Sequence, residues 1–489
     1  MYQTPASPAA PFRRSGILIA CMLAMFMSAV EVTIIATAMP DIIANLGGFP
    51  LLSWVFSIYL LLQAISIPIY GHLADIFGRK PVFFVGIGLF LTGSMLCGFS
   101  SHMLALIFFR ALQGLGAGAI VPLSITIIAD VYNQQERARL QGYLSSVWAV
   151  SAIIGPLMGA FIVEHYHWSG VFWVNVPFGI ISAGLLARYL PVSPNQSDAS
   201  SLDMAGITYM TLSVGCLLIA LLQGNEIIGQ CRVGLLVLSL ISAVLLVQEQ
   251  RRSTSPLFPL ALWKSQIIIA GNVGGLIIGA SMMSIAAFLP TYIQAVLGGT
   301  TLEAGWTLAV MSLGWPLAST LCGRFMIHTS YRLMAWCGAG LLVAGSLLLL
   351  RLNAESSMSL ARLASFVIGL GMGVSNTTFL VSVQNEAPFA IRSIATASTV
   401  FTRMVGSALG TALLGATLNI NLQRFLPGID NPVQHLIAHH GQSSQELAYM
   451  AQQVAVSMHG VYCVSSLIAL CALGAAVLVP RGLRPRQDE

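Results

Sequence analysis

Residues 110–129 read RALQGLGAGAIVPLSITIIA, one arginine followed by nineteen residues without a formal charge. A helix needs about 20 mostly apolar residues to cross the hydrocarbon layer of a bilayer, because backbone groups left unpaired in lipid cost several kcal/mol each. The stretch meets that length. It also places Gly114, Gly116 and Gly118 at alternate positions, which lets neighbouring helices approach closely. The same spacing returns 255 residues later at Gly369, Gly371 and Gly373. Other landmarks recur at shifts of 252 to 255: Arg137 with Arg392, Gly155 with Gly410, and Gly71 with Gly323. Repetition at one fixed spacing marks a duplicated chain, and parallel repeats with a site between them are a transporter design.

Fourteen runs pass the same length test, near 15–38, 53–71, 82–99, 104–128, 141–163, 168–190, 205–222, 233–249, 267–296, 304–325, 333–350, 358–382, 397–420 and 455–479. The expected fold is an all-α polytopic membrane protein. It divides into an N-terminal six-helix half (1–190), a connector with two inserted helices (191–252) and a C-terminal six-helix half (253–489). Composition agrees, since 56% of the 489 residues are hydrophobic and 8% charged, against about 25% charged in soluble chains. A net charge of +5, dispersed along the chain, excludes a nucleic-acid footprint. Neither lysine, Lys80 or Lys264, lies in a phosphate-binding loop, and neither HExxH nor GxSxG occurs, so the common ATPase and hydrolase signatures are missing. No cofactor motif is present, and the eight cysteines show no repeated CxxC spacing for zinc.

Orientation follows from loop charges. Sixteen Lys and Arg residues fall on the side of the termini, while Arg232, Arg351, Arg362 and Arg424 fall on the other. This predicts cytoplasmic termini. Residues 191–204 read as a flexible connector, and 421–454 as the longest external loop, polar and bearing His435, His439 and His440. With His165 and His167 these are read as solvated histidines and not as a metal site.

Several segments carry a family resemblance. GHLADIFGRKP (Gly71–Pro81) resembles the loop signature of the major facilitator superfamily, RALQGLGAG (Arg110–Gly118) its second motif, and GPLMGA (Gly155–Ala160) the motif of its antiporters. VEVTIIATAMPDI (Val30–Ile42) and WSGVFWVNVPFG (Trp168–Gly179), with fourteen spans, resemble the fourteen-span drug:proton antiporter branch. Two departures stand out: Glu31 where many members of that branch have Asp, and Ser169 where Arg is usual. The resemblance implies a monomer in a bacterial inner membrane, working alone or with a periplasmic adaptor. Its implied partners are a small molecule, protons and lipid.

Charged side chains inside a span cost about 3 kcal/mol even on the lower scales, so they are functional suspects. Glu31 in span one and Arg110 in span four lie at similar depth and are expected to pair, with Glu31 exchanging a proton for cargo. A static salt bridge is the competing reading. Arg403 in span thirteen is expected to snorkel to the interface, and Asp130 and Glu164, at helix ends within reach of headgroups and water, are not expected to be coupling residues. Asp75, Arg79 and Lys80, flanked by Gly71 and Gly78, form a charge cluster whose role by resemblance is a cytoplasmic latch on the start of span thirteen near Thr396. Ile327 stands at the equivalent acid position in the second half. Gly155, Pro156 and Gly159 suit a bend in span five. Tyr59, Gln63, Trp148, Trp315 and Asn376 are candidate substrate contacts, and Asn175 is expected to cap or pack.

The function expected is proton-coupled export of amphipathic, cationic drugs or toxic organic compounds. The alternatives are a dedicated exporter of a siderophore or metabolite, or a polytopic sensor. No polar catalytic cluster speaks for an enzyme.

Overall fold

A computed structural model of the chain describes residues 11–47, 51–191, 203–221, 226–253, 256–326, 328–427, 429, 432–433, 436 and 445–480. His435, His439, His440 and Ile327, and most of the 191–204 connector, lie outside them.

The described chain is built from helices. In the first half these are α1 (Pro11–Leu46), α2 (Leu52–Phe77), α3 (Arg79–Gly98), α4 (Met103–Val131), α5 (Gln134–His165), the single turn α6 (Gly170–Trp173) and α7 (Asn175–Tyr189). The inserted pair is α8 (Met204–Leu221) and α9 (Glu226–Arg252). After the short α10 (Leu260–Lys264) come α11 (Gln266–Met283), a π-helical turn (Ser284–Phe288), α12 (Leu289–Ala295), α13 (Thr301–Met326), α14 (Tyr331–Leu349), α15 (Met358–Glu386) and α16 (Arg392–Phe425). The last helix is Gln445–Leu478.

Thirteen of these segments are long and apolar enough to span a bilayer. The tenth run, 304–325, falls on α13, a continuous 26-residue helix outside those thirteen. Its hydropathy is diluted by Trp306, Thr307, Trp315, Pro316 and Ser319. α13 packs against α15 and α5, with Thr307 and Ser319 buried, while Trp306, Leu313, Leu317 and Phe325 are exposed.

Local chemistry sets the boundaries. Gly78, at φ +89°, is the whole turn between α2 and α3, a conformation that costs other residues strain. Asn133 and Glu136 cap α5 reciprocally, each side chain bonded to the other's backbone N–H at 2.8–2.9 Å.

The repeated glycines occupy corresponding places. A Cβ on Gly114 would come within 2.5 Å of the Tyr59 carbonyl, and one on Gly369 within 2.5 Å of the Met311 carbonyl. Gly116 lies against Phe90 and Gly86, and Gly371 against Leu342 and Gly338. α4 and α15 are thus each held in direct backbone contact with two neighbours. One apolar core runs from Leu262 to Val479, and a second from Ile17 to Leu186 also takes in Leu380, Ala397 and Val400 from the later helices. The two sets of helices meet where α2 packs on α16 and α5 on α13. Gly71 faces Ala397 and Ile394, Gly142 faces Thr320, and Ser145 Oγ lies 3.1 Å from Ser319 Oγ. α8 covers the α2–α16 seam through Met210 and Val214 against Leu61 and Ile65. Buried Asp203 ties the inserted pair down, accepting from Gly206 N (2.7 Å), Gln250 Nε2 (2.9 Å) and Leu257 N (3.2 Å).

Candidate functional site

Glu31 sits in α1, whose helix continues to Leu46, well past the predicted end of span one. Its side chain has no accessible surface and that of Arg110 is 1% exposed. Arg110 Nη1 donates to Glu31 Oε1 at 2.5 Å, and Asn175 Nδ2 donates to Glu31 Oε2. Arg110 is held further by Gln113 Oε1 (2.8 Å) and the Val55 carbonyl (3.1 Å), with its guanidinium 4.1 Å from the centre of the Tyr59 ring. Ser94 Oγ accepts from both Gln113 Nε2 (3.1 Å) and Asn175 Nδ2 (2.9 Å), and donates to the Phe172 carbonyl (2.8 Å). Residues of six helices, α1 to α4, α6 and α7, therefore join one network around a single carboxylate. Such a buried ion pair persists only because its remaining donors and acceptors are satisfied.

Asn175 is therefore more than a cap: it is the second donor on Glu31. Sequence spacing did not carry that pairing, because it arises from α7 crossing α1 and α3. The buried geometry also removes one element of the sequence expectation. With both carboxylate oxygens engaged and no accessible surface, Glu31 offers cargo no open face in this conformation.

At the Gly78 end, Asp75 accepts from the backbone N–H groups of Ser393 (3.2 Å) and Ile394 (2.9 Å) in the first turn of α16, which starts at Arg392. That puts a carboxylate on the positive end of a 34-residue helix. Arg79 pairs with Asp75 (3.1 Å) and Asp130 (3.1 Å), and reaches the Phe389 carbonyl (2.8 Å). Asp130 also pairs with Arg392 at 2.9 Å. Asp130 thus links the end of α4 to the start of α16. Lys80 lies apart from the cluster, donating to the Ala187 (2.9 Å) and Leu190 (2.6 Å) carbonyls at the end of α7. Unpaired carbonyls at a helix C-terminus attract an ammonium group more simply than a crowded ion cluster does. Arg137 Nη1 adds a further bridge, to Asn385 Oδ1 (2.9 Å).

The candidate substrate residues lie one level above these contacts. Trp148 follows Ser145 by one turn in α5, and Trp315 precedes Ser319 by one turn in α13, so both residues lie on the side of the Ser145–Ser319 contact away from Gly78. Gln63 precedes Gly71 by about 12 Å along α2, and Arg403 follows Ala397 by about 9 Å along α16. Arg403 does not run to the interface: its Nη1 donates to Asn376 Oδ1 at 3.3 Å, sideways into α15. Tyr59 and Gln63 are buried, Trp315 and Asn376 half-buried, and Trp148 is exposed. Tyr59 belongs to the Arg110 cluster.

In α5, which stays helical through Pro156, Gly155 lies against Thr33 of α1 and Gly159 is buried. Glu164, His165 and His167 are exposed, and no group of three or more His, Cys, Asp or Glu able to hold a metal occurs among the described residues. Ser169 is buried, its Oγ 2.5 Å from His167 Nδ1.

Comparison with known proteins agrees with this architecture. The sequence profile of the Major Facilitator Superfamily matches residues 21–411. The chain is 30% identical to the multidrug transporter protein MdtP of Bacillus subtilis over 452 residues, 92% of this chain and 83% of that protein. It is 30% identical to multidrug resistance protein 3 of the same organism (82% and 78% covered) and 31% identical to the efflux pump dotC of Dothistroma septosporum (80% and 69% covered). In fold it matches the human organic anion transporter MFSD10 (TM-score 0.65, 14% identity, 94% of this chain and all of that one) and the proton:xylose symporter XylE (TM-score 0.63, 15% identity, 94% and 95%). The chain belongs to the major facilitator superfamily. It is a multi-pass membrane transporter that acts on small molecules.

Proposed function

We propose that this transporter is a proton-coupled antiporter of a bacterial inner membrane, with cytoplasmic termini, exporting amphipathic drugs or toxic organic compounds. It would work as two six-helix halves, 1–190 and 253–489, with 191–252 inserted between them, acting as a monomer with or without a periplasmic adaptor. Relatives named multidrug transporter and efflux pump support export. The observation that carries proton coupling is the Glu31–Arg110 pair, buried in that six-helix network.

Both Glu31 oxygens accept hydrogen bonds, the role of an ionised carboxylate. A proton on either oxygen removes the negative charge that both donors face and takes up one of its lone pairs, so the bonds from Arg110 and Asn175 weaken. Loss of the Coulomb attraction makes Arg110 the one with less reason to stay. Arg110 is already bonded to α2 through the Val55 carbonyl and the Tyr59 ring. A change at Glu31 is thereby passed to α2, the helix whose other end carries Gly71 and Asp75 against α16. Proton and cargo then compete through the opening of the Gly78 end, without sharing one atom.

The test is proton release and dye uptake in proteoliposomes under an imposed pH gradient, with anionic, neutral and cationic amphipathic dyes. Wild type is expected to move several dyes against protons. Glu31→Gln, still inserted, is expected to fall to background. Gradient-driven transport by that variant at wild-type rate refutes the coupling, and a response to one compound alone points to a dedicated exporter.

A further inference from the structure

Arg403 is an arginine in the middle of a long helix, and the structure gives it no counter-ion. Among the described residues the ion pairs are Arg14–Glu136, Arg79–Asp75, Arg79–Asp130, Arg110–Glu31 and Arg392–Asp130, and Arg403 is in none. Its one side-chain partner is the neutral amide oxygen of Asn376. The sequence explains the shortage. In the helices after residue 256 the acids are Glu303 in the first turn of α13, Glu386 at the end of α15 and Glu446 in the first turn of the last helix, all at helix ends. Glu303 is moreover occupied in capping Thr300.

Arg403 lies on the stretch of α16 that meets the first set of helices. No residue from Ile391 to Gly410 is exposed, and Arg403 itself keeps partial exposure. Its neighbours Phe401 and Met404 pack on the apolar core of the first half. On the opposite side of α16, Gly275 and Gly279 of α11 press against the backbone at Thr399 and Arg403. Asn376, its partner, lies on α15, which also touches α5 of the first half. A guanidinium so placed has five N–H donors and spends one on Asn376; a planar anion is the ligand its fork fits best.

We infer that Arg403, oriented by Asn376, is the recognition residue for an anionic group, so that this exporter takes amphipathic carboxylates or similar organic anions. This rests on the antiport reading above and replaces its sequence-based expectation of a cationic cargo. That expectation leaned on Glu31, whose charge is already neutralised by Arg110. A cation entering between the halves meets Arg403 uncompensated and is repelled; an anion supplies the missing partner.

The matched probes 1-pyrenebutyrate and 1-pyrenebutylammonium share one aromatic body and differ in the sign of the head group. Binding of each to the purified full chain in detergent is read from energy transfer between tryptophan and pyrene. The carboxylate is expected to bind about 10- to 100-fold tighter than the ammonium. Arg403→Gln should lose most of that difference, weakening the carboxylate and relieving the repulsion of the ammonium, and Arg403→Lys should retain part of it. The wild-type comparison stands even if a variant folds poorly. Tighter or equal binding of the ammonium, binding of neither probe, or an Arg403→Gln protein with the full preference overturns the inference. The same probes in proteoliposomes separate the two readings. Transport of the ammonium probe driven by a pH gradient and unaffected by Arg403→Gln removes the anion site and leaves antiport standing. Probe binding with no gradient-driven movement of either compound removes antiport and leaves the site.

Discussion

Arg110 and Arg403 are both arginines in the interior of long helices, one in each half, and they are held in opposite ways. Arg110 has a carboxylate, an amide oxygen, a backbone carbonyl and an aromatic face, and 1% of its side chain is exposed. Arg403 has one amide oxygen at 3.3 Å and remains half-buried. The difference extends beyond the pair. At the contact between the halves the first half contributes the carboxylates, Asp75 and Asp130, and the second contributes positive ends, Arg392 and the N-terminus of α16. The two sets of helices thus carry unlike charges where they meet. A filled ion pair suits internal signalling, and an unfilled one suits a ligand from outside.

The sharpest way to break this comparison is thermal unfolding of Arg110→Gln beside Arg403→Gln. Removing Arg110 strands an ionised Glu31 with no water, which costs about 3–5 kcal/mol for a buried pair cut on one side. Removing Arg403 forfeits one hydrogen bond to a neutral group, about 1 kcal/mol. Arg110→Gln should therefore unfold much earlier, and the double variant Glu31→Gln/Arg110→Gln should recover a good part of the loss without recovering transport. Equal losses at the two arginines contradict the assignment of one to an internal pair and the other to a ligand.

Where charge separates the halves, packing unites them. Gly114 and Gly369 each sit 2.5 Å, by a hypothetical Cβ, from the carbonyl of an adjacent helix. Alanine at either position has to push backbone away from backbone, an overpacking cost of about 1–3 kcal/mol. Gly114→Ala and Gly369→Ala are expected to lower the melting temperature to a similar degree. A harmless change at one position with a severe one at the other breaks the structural equivalence of α4 and α15.

The sequence made the frame legible because the signals for it are local. Length and hydropathy mark a span without reference to any neighbour, and Gly78 marks its own turn by a conformation that glycine alone adopts freely. α13 is the partial exception, since Thr307 and Ser319 dilute its hydropathy and are buried only by the packing of the helices around it. The site was legible where a charge was costly in isolation: Glu31, Arg110 and Asp75 stand out in a greasy chain. It was not legible where a role depends on which helices cross. Asn175 reaches Glu31, Asp130 reaches Arg392, and Arg403 turns toward Asn376 because of crossings that no spacing in the chain records. Lys80 shows the reverse error: adjacency to Arg79 suggested a shared cluster, but its single ammonium goes to the carbonyls at the end of α7.

The smallest expected effect concerns the contact at the Gly78 end, and it bears on which carboxylate does the holding. Asp75 meets the first-turn N–H groups of α16 and also Arg79, so Asp75→Asn loses a charge at a helix terminus, about 1–2 kcal/mol when partly buried. Arg79 keeps Asp130 and the Phe389 carbonyl, which limits the damage. Spin labels at R139C on α5 and R324C on α13, both exposed positions at this end, report the separation of the halves. Asp75→Asn is expected to add a longer-distance population, because the closed form alone contains the Asp75–α16 contact. Lys80→Gln should leave the distribution unchanged, since Lys80 is bonded within its own half. If Lys80→Gln opens this end as much as Asp75→Asn does, the division between acids that join the halves and bases that brace one of them fails.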